Sequence, residues 1–556
     1  MSILGKKWII KNTNKNKKIL EKILENRGLL NKKPLQTFHD PFLFRDMEKA
    51  VNRIKKAIEK EERIIVFGDY DVDGITGTAI LVHILKKLNA RVSYRLPNRI
   101  DDGYGLSEKF IKDFEEKNVK LLITVDCGIS CADIIEKIKK KGIETILTDH
   151  HTIPENKPEK AIAVLHPKEK NSNYPFKDLT GAGVALKLAH ALIEKLLPAE
   201  VGESNFESLI DLAALGTVAD LGPLKDENWL IVKKGIKKLS DTKWIGLKKI
   251  MTLSAVKKGY DIDTSTIGYR IAPRINAAGR IGDPYLALSL LLQEDQNERV
   301  DLLGNKLEQL NSLRKEITLS ALMEAEQNIV KIKDMPFILI AENSEWHVGI
   351  LGLIAGKLVE KYARPAIIMQ DFGDILVASA RSPEYFNVIE AISSLKEYLI
   401  TFGGHAQAAG FNIKKENLKI FKKEISAFAE KKLKNKELMP SLEIDCEINK
   451  SEIGFNLVDE LSIIKPFGVK NSKPTFLLQG IEPYFISQVG KEKNHLKFSI
   501  KLKEKDIQVI AFRMGRFADD LRKHKKIDIV FHLDRNRWNN REYLQFHALD
   551  YRKSAK

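Results

Sequence analysis

The chain has 556 residues, and its 92 Lys and Arg against 75 Asp and Glu give a net charge of +17. A hydrophobic content of 43% is that of a globular protein, which excludes a disordered chain, and the length predicts about three or four domains. The charge predicts a polyanionic partner, nucleic acid ahead of an anionic membrane, although lysine on every solvated face would give the same balance. Three cysteines cannot form a disulfide framework.

The beginning of the chain has no apolar run long enough for a signal peptide, and no later run approaches the length of a transmembrane helix. We therefore expect a cytoplasmic protein without membrane contact. Residues 1–45 are predicted to form a polar N-terminal arm with some helix, which ends near the loop KKPLQTFHDPF.

Residues 46–295 alternate between strand and helix up to about residue 200 and are mostly helical afterwards. The runs RIIVFGD, ARVSYRLP, KLLITVD, ETILTD and AIAVLHP are separated by helical patterns, which predicts βαβ units and a parallel sheet. A charged helical stretch over 296–331 is predicted to connect this domain to a second α/β domain over 332–439. Short β-like runs over 440–556 predict a small barrel.

Carboxylates and histidines lie where predicted elements of the first domain end. They are Asp69, Asp71 and Asp73 in GDYDVDG, Asp126 in TVDCG, Asp149, His150 and His151 in LTDHH, and Asp220 in TVADLG. Because the carboxyl ends of parallel strands face one crevice, we expect these side chains to meet there. Converging acids repel one another unless a cation lies between them. Mg²⁺ or Mn²⁺ suits carboxylate oxygens, and imidazole favours Mn²⁺, so the sequence predicts a two-metal hydrolase.

The GDYDVDG motif has other interpretations when it is taken alone. An extended backbone would put Asp69, Asp71 and Asp73 on one side of the chain, but an Asp-rich helix cap or a calcium loop fits the same letters. An EF-hand needs a glutamate at the twelfth position, which here is Ile80. The other acids could each cap a helix, so the metal prediction depends on the combination. The GAG at residues 181–183 is predicted to be a packing feature.

The order DYDVDG, VDCG, DHH, TVAD, RINAAGR, SARS and GGHAQAAG resembles the DHH phosphoesterase superfamily, and within it the RecJ single-stranded-DNA exonucleases. The resemblance covers about residues 40–552. It implies a parallel-sheet DHH catalytic domain, a long connecting helix, an α/β DHH-associated domain and a C-terminal OB-fold. Phe67 stands where many members of the wider superfamily have a histidine, and the DYDVDG motif matches the RecJ pattern instead.

The resemblance also implies two divalent ions, Mn²⁺ or Mg²⁺, that share Asp126 as a bridging ligand. Asp71 and Asp126 would hold the first ion, helped by Asp69. The implied ligands of the second ion are Asp73, Asp126, His150 and Asp220. His151 is implied to face the scissile phosphate.

Substrate contacts are implied for a further set of residues. They are Asn276 and Arg280 in RINAAGR, Ser379 and Arg381 in SARS, Gly403, Gly404 and His405 in GGHAQAAG, and Trp538 in the barrel. Arginine can grip a phosphate with two donors, and Arg280, Ser379 and Arg381 are implied to bind a terminal 5′ phosphate. The paired glycines would let the backbone approach an anion, although a structural turn is the alternative. Trp538 suits base stacking, although a core position is as common.

The resemblance implies a 5′→3′ exonuclease that releases mononucleotides from single-stranded DNA in repair and recombination. It would act as a monomer, supplied by a helicase and a single-strand-binding protein, and a narrow hole between the α/β domains would exclude duplexes. One alternative is a member of the superfamily with a smaller substrate, namely a phosphodiesterase for short oligonucleotides or cyclic dinucleotides, or a pyrophosphatase. The predicted barrel and the positive charge disfavour it. The other is a non-catalytic single-strand-binding scaffold, which the complete set of acids and histidines disfavours.

Overall fold

The computed structural model describes residues 2–31, 34–99, 102–103, 105–256, 262–330, 334–502, 505–538 and 541–555. Within them lie two five-stranded sheets and one eight-stranded sheet. The predicted architecture, two α/β domains joined by a long helix and followed by a β-rich domain, is confirmed. None of the described helices is both long and apolar enough to cross a membrane.

The chain begins with β1 (Lys7–Asn12) and α1 (Ile19–Asn26), within the segment predicted as a polar arm. This segment is more ordered than the prediction: β1 pairs in parallel with the strand over residues 441–447, and Ile19 and Ile23 enter the core of the C-terminal domain. The indole N–H of Trp8 also donates to Asp550, at 2.9 Å. The partners lie more than 400 residues away, so local sequence could not reveal this strand.

The first α/β domain is built on a parallel sheet with the order β3–β2–β4–β5–β6. Its strands are β2 (Arg63–Gly68), β3 (Val92–Arg95), β4 (Val119–Val125), β5 (Glu144–Thr148) and β6 (Ala163–Leu165). Its helices are α2 (Met47–Glu59), α3 (Val72–Lys87), α4 (Lys109–Glu116), α5 (Ala132–Lys140), α6 (Gly181–Leu196), α7 (Ala199–Glu207), α8 (Ile210–Ala219), α9 (Asp226–Leu239), α10 (Ile245–Leu253), α11 (Thr264–Thr266), α12 (Ala272–Ile281) and α13 (Tyr285–Leu291). A π-helical turn, Ile267–Ile271, lies between α11 and α12. The strands β2 and β4 are almost wholly buried, which explains their continuous apolar runs.

The predicted connecting helix is α14 (Glu298–Val330), 33 residues long. The second α/β domain follows with a sheet in the order β10–β11–β9–β8–β7, in which only β7 and β8 are parallel. Its elements are β7 (Leu339–Asn343), α15 (Val348–Tyr362), β8 (Ala366–Asp371), β9 (Ile375–Arg381), α16 (Val388–Ser393), β10 (Leu399–His405), β11 (Ala408–Lys414) and α17 (Leu418–Leu433).

The C-terminal domain contains the eight-stranded sheet, in the order β1–β12–β13–β17–β18–β16–β15–β14. Its elements are β12 (Ser441–Glu447), α18 (Phe455–Ser462), β13 (Phe476–Ile481), β14 (Pro483–Val489), β15 (His495–Leu502), β16 (Lys505–Ala511), α19 (Ala518–Arg522), β17 (Ile527–Trp538) and β18 (Arg541–Lys553). Aromatic rings fill its core, where Phe531 and Phe546 stack at a centroid distance of 3.9 Å. The side chain of Trp538, a predicted DNA contact, lies outside the described part of the chain.

Candidate active site

The first group of acids lies where β2 leads into α3. Asp69 follows the strand directly and is buried, and Asp71 caps α3 by accepting a hydrogen bond from the Gly74 N–H at 3.1 Å. Asp73 lies in the first helical turn and is also buried. The extended backbone that would put all three acids on one side of the chain ends at Asp71, because α3 begins at Val72. The helix still leaves these acids at the carboxyl edge of the sheet.

Asp126 follows β4 in a left-handed conformation, with φ of +61°, and is buried. Its N–H donates to the Thr148 carbonyl at 2.9 Å, which ties it to the end of β5. The α6 helix begins against it: a Cβ at Gly181 would lie 2.5 Å from the Asp126 side chain. A glycine at this position is therefore needed for the close approach of α6 to the acid.

Asp149 follows β5 and orients the histidine pair. One of its carboxylate oxygens accepts hydrogen bonds from the backbone N–H groups of His150 and His151 and from Nδ1 of His151 at 2.8 Å. Burial would raise the pKa of Asp149, but these hydrogen bonds and the His151 charge lower it to about 2. Burial lowers the pKa of His151, whereas the bond to Asp149 more than offsets this and raises it. Asp149 thus fixes the orientation of the His151 ring through Nδ1.

Asp220 reaches the same place from a helix, since it caps the C-terminal end of α8. The Nε2 of His150 lies 3.0 Å from Asp126, 3.9 Å from Asp73 and 3.8 Å from Asp220. Three overlapping groups have ligand atoms within 4.8 Å of one another: Asp69, Asp71 and Asp126; Asp73, His150 and Asp220; and Asp126, His150 and His151. We name these seven residues the acid–histidine cluster.

Burial and mutual repulsion leave the acids poorly stabilised as anions. Burial, with the Asp71 charge, raises the pKa of Asp69 to about 8 and that of Asp73 to about 7. Burial and the neighbouring acids raise the pKa of Asp126 and Asp220 well above the ordinary value. Burial and the His151 charge lower the pKa of His150 to about 3, so its imidazole is neutral.

This donor set fits hard divalent cations. Oδ1 of Asp69 is buried and has no hydrogen-bond partner among the described residues. A bound cation would supply the missing partner and offset the repulsion among carboxylates. Neutral imidazole beside carboxylates suits Mn²⁺ in particular.

Two backbone donors that sequence reasoning missed also act on the cluster. Gly181 N–H and Ala182 N–H, at the start of α6, donate to the two oxygens of Asp73 at 2.6 and 3.0 Å. The GAG segment was predicted to be a packing feature only, and these hydrogen bonds give it a second role in holding Asp73. The Thr180 cap and the helix start after it are the signal that could have suggested this.

A second group of charges lies where the two α/β domains meet. Arg280, near the end of α12, donates to the Gly349 carbonyl at the start of α15, at 3.0 Å. Arg381, at the end of β9, donates to Ser379 Oγ at 3.3 Å. Arg99 lies over the Tyr70 ring at 4.3 Å, and no motif in the sequence marks it. We name Arg99, Arg280 and Arg381 the arginine cluster.

The arginine cluster has no carboxylate within ion-pair distance among the described residues. Burial and the neighbouring Arg99 lower the pKa of Arg280 to about 10. The Asp71 charge opposes that shift, and the Arg99 charge opposes the rise in the pKa of Asp69. The two clusters therefore lie close enough to influence each other. Arg274, in the same motif as Arg280, instead pairs with Glu308.

The β10–β11 hairpin carries the predicted glycines and histidine. Gly403 pairs with Gly410, and an added Cβ there would meet open space. Gly404 has φ of +141°, and a Cβ there would lie 2.4 Å from the Ala408 carbonyl, so this position requires glycine. Burial and the charge of His151 lower the pKa of His405, so His405 is near enough to the acid–histidine cluster to be affected by its charge. Asn276 lines a cavity together with Arg280.

A parallel sheet with acids and histidines at its carboxyl edge, facing an arginine-bearing second α/β domain, defines a phosphoesterase of the DHH class. Three family models match the chain: "DHH family, N-terminal domain" over 63–217, "DHHA1 domain" over 335–431 and "RecJ OB domain" over 444–550. The chain is 33% identical over 567 residues to the single-stranded-DNA-specific exonuclease RecJ of Haemophilus influenzae, covering 98% of this chain and 97% of that protein. The chain belongs to the RecJ family.

Other comparisons agree with this assignment. The RecJ exonuclease of Bacillus subtilis is 35% identical over 92% of this chain, which spans 64% of the length of that relative. The crystal structure of RecJ in complex with Mn²⁺ from Thermus thermophilus matches 99% of this chain and 80% of that chain, with a TM-score of 0.83 and 28% identity. The same protein in complex with Mg²⁺ gives a TM-score of 0.76, at 27% identity over 99% of this chain and 79% of that one.

Proposed function

We propose that the chain is a metal-dependent 5′→3′ exonuclease that degrades single-stranded DNA to mononucleotides in DNA repair and recombination. The observation that carries this proposal is the placement of the acid–histidine cluster beside the arginine cluster. The acid–histidine cluster has more carboxylates than positive groups to balance them, and the arginine cluster has no carboxylate within ion-pair distance among the described residues. A phosphodiester with divalent ions would balance the charge of both clusters.

We assign the first cation to Asp71 and Asp126, helped by Asp69. The second cation is assigned to Asp73, Asp126, His150 and Asp220. The chemistry that two ions would supply when bound to these residues is an activated water and neutralisation of charge on the scissile phosphate. His151, held through Nδ1 by Asp149, directs the opposite edge of its ring toward that phosphate. The hydrogen bonds to Asp73 and Asp149 fix the cluster before substrate arrives.

The arginine cluster is suited to a terminal 5′ phosphate. Arg280 and Arg381 come from different domains. Arg280 donates one hydrogen bond through Nη1, to Gly349, and Arg381 donates two through Nη1, to Ser379 and Ala380, which leaves other guanidinium donors available. Ser379 adds a hydroxyl beside Arg381, and Gly403, Gly404 and His405 lie on the β10–β11 hairpin, whose strand β11 pairs with β9 in the same sheet. The arginine cluster would hold the 5′ phosphate while the acid–histidine cluster holds the scissile bond. Cleavage would therefore proceed from the 5′ end.

Selectivity for single strands follows from the same arrangement, because a cleft closed by two domains admits one strand more readily than a duplex. We propose that the C-terminal domain, which matches the RecJ OB model, holds the strand farther from the cleaved end. A helicase and a single-strand-binding protein would supply that strand in the cytoplasm. One chain contributes every residue of both clusters, so we propose a monomer.

The proposal is tested with single-stranded DNA labelled at either the 5′ or the 3′ end, incubated with Mn²⁺ or with EDTA. We expect immediate release of the 5′ label as a mononucleotide, gradual shortening of the 3′-labelled strand, and no reaction in EDTA. Cleavage that starts at the 3′ end, or equal activity in EDTA, would refute the proposal. Intact DNA with every metal would direct the search to oligoribonucleotides and cyclic dinucleotides.

A further inference from the structure

A cavity of about 660 Å³ opens beside Asp220 and Arg280, between the first α/β domain, α14, α15 and the C-terminal domain. Its lining includes Leu221, Tyr269, Asn276, Arg280, Arg314 and Val469. The loop of the C-terminal domain that closes one side is held in place, because Leu224 N–H donates to the Val469 carbonyl at 2.8 Å. The cavity therefore lies at a junction between domains that hydrogen bonding holds together.

Two large apolar side chains face solvent in this cavity. Tyr269 is 83% exposed and Leu221 is 68% exposed, more than the other large apolar residues that the structure describes in the first α/β domain. Both residues have an unusual backbone conformation. Tyr269 belongs to the π-helical turn, and Leu221, directly after Asp220, has φ of +60°. Such backbone is strained for a leucine and is enriched at functional sites. Both side chains are therefore exposed to solvent, although burial of large apolar side chains is favourable.

Two arginines also line the cavity. Arg314, on α14, donates through Nη2 to Asn311 at 2.9 Å, while its buried Nε has no hydrogen-bond partner among the described residues. Arg280 lines the same cavity. Exposed apolar side chains and arginines in one cavity match the two kinds of group on a single DNA strand, its bases and its phosphates.

We propose that Tyr269 and Leu221 form a stacking surface for the bases of the nucleotides next to the cleaved bond, while Arg314 contacts a phosphate of the same segment. Every base has an apolar face, so this surface would bind DNA without reading its sequence. It would position the strand between the two clusters as successive nucleotides are removed. The identity of the ligand rests on the proposed function.

The test uses 5′-phosphorylated single-stranded DNA in which each of the first six nucleotides in turn is made abasic. For the wild-type chain we expect kcat/KM to fall about 5- to 150-fold at the positions that reach the cavity, the range for loss of one stacked base. Tyr269→Ala should show a similar deficit on intact DNA and should lose its sensitivity at those positions. Tyr269→Phe should restore the wild-type pattern.

Binding gives a second readout that does not depend on hydrolysis. In EDTA, a 2-aminopurine placed at the sensitive positions should be quenched on binding to the wild-type chain but not to Tyr269→Ala. Phe372→Ala is the matched control, since Phe372 is an exposed aromatic residue, at 57%, that does not line the cavity.

The outcomes separate this inference from the proposed function. Quenching that requires Tyr269 in a chain that does not hydrolyse DNA would support the stacking surface and refute the exonuclease. Normal 5′→3′ hydrolysis with equal abasic sensitivity in the wild-type chain and Tyr269→Ala would overturn the stacking surface alone.

Discussion

The acid–histidine cluster and the arginine cluster carry opposite charges and are built in different ways. The acids all come from the first α/β domain and are fixed by backbone hydrogen bonds at strand and helix ends. The arginines come from both domains, and Arg280 is tied to the second domain through a single bond to Gly349. We conclude that the acidic site is formed within one domain, whereas the cationic site exists only when the two domains are in contact.

Burial also shifts the pKa values of the two clusters in opposite directions. Burial raises the pKa of Asp69 and Asp73 and lowers that of Arg280. In each case burial disfavours the charged form, and a ligand of the opposite charge would reverse the effect. Substitutions that remove one kind of charge should therefore leave binding at the other cluster largely intact.

The largest expected effect comes from Asp126→Asn. This change removes the carboxylate charge that we assign to both cations, and asparagine tolerates the left-handed backbone at this position better than alanine does. Replacing a residue that only orients a metal ligand costs up to about 100-fold, so loss of a shared ligand should lower hydrolysis by more than about 100-fold. Hydrolysis of 5′-labelled DNA in Mn²⁺ measures this effect.

Asp211→Asn is the matched control for that substitution. Asp211 is also buried, but Thr242 and Trp244 donate to it and it lies outside the acid–histidine cluster. Near-normal turnover by Asp126→Asn would contradict the bridging role, provided that circular dichroism shows both variants to be folded.

Arg280→Ala should have the next largest effect and should act on the other cluster. Hydrogen bonds to charged groups contribute about 1.5–3 kcal/mol, which corresponds to about a 10- to 150-fold loss of preference for a 5′ phosphate. The ratio of kcat/KM for phosphorylated and hydroxyl-ended DNA measures that preference. Arg299→Ala, at an exposed arginine of α14, should leave the ratio unchanged. An unchanged ratio in Arg280→Ala as well would exclude Arg280 as a contact.

Gly352→Ala tests the cationic site without touching a charged residue. A Cβ at Gly352 would lie 2.8 Å from Nη2 of Arg381 and 3.1 Å from Ser379 Oγ, so these side chains would have to move. We expect the 5′-phosphate preference to fall by a few fold, since loss of one hydrogen bond costs about 1 kcal/mol.

Gly356→Ala provides the comparison one helical turn farther along α15, where a Cβ would have nothing within 4 Å. That substitution should stabilise the helix by about 0.5–1 kcal/mol and leave the preference intact. Equal 5′-phosphate ratios in the two alanine variants would show that the position of Arg381 does not control end recognition.

The last prediction concerns stability instead of activity, and it is a pH dependence of the stability of the metal-free chain. The folded pKa of Asp69 is about 8 and its ordinary value is 3.8, so the folded chain retains a proton that the unfolded chain has lost. This contribution to stability is complete below pH 3.8 and is lost as the pH rises through 8, by at most about 2 kcal/mol between pH 6.5 and 8.

Thermal melts in EDTA should therefore show a decrease in melting temperature of a few degrees over this interval. Mn²⁺ should stabilise the chain more at pH 8 than at pH 6.5, because binding displaces protons. Asp69→Asn should flatten the slope in EDTA. An identical slope in that variant and in the wild-type chain would show that Asp69 is not the group responsible.

Much of the fold could be predicted because its signals are local. The apolar runs before Asp69, Asp126 and Asp149 gave the parallel strands, and helical periodicity gave α14. Strand β1 was not predicted, because it has only six residues and is stabilised by pairing with β12, which lies far away in the sequence. The helix start at Val72 was also missed, since the alternating acids of DYDVDG suit an extended chain equally well.

The same distinction between local and long-range signals applies to the residues of the candidate site. The acids and histidines occur in short motifs at strand and helix ends, where topology brings them together. Arg99 and Arg314 lie in segments without a motif and reach the junction only through tertiary packing. The hydrogen bonds from Gly181 and Ala182 to Asp73 depend on how α6 meets α3, which no spacing in the sequence specifies.

The central claim is that cations and the 5′ phosphate bind to separate clusters, and a crossed binding experiment tests it most directly. Mn²⁺ binding is measured by calorimetry, and binding of 5′-phosphorylated against hydroxyl-ended DNA is measured in EDTA, for the wild-type chain, Asp126→Asn and Arg280→Ala. We expect Asp126→Asn to lose Mn²⁺ binding but keep the 5′-phosphate preference, and Arg280→Ala to show the reverse. Loss of both properties in both folded variants would contradict the account.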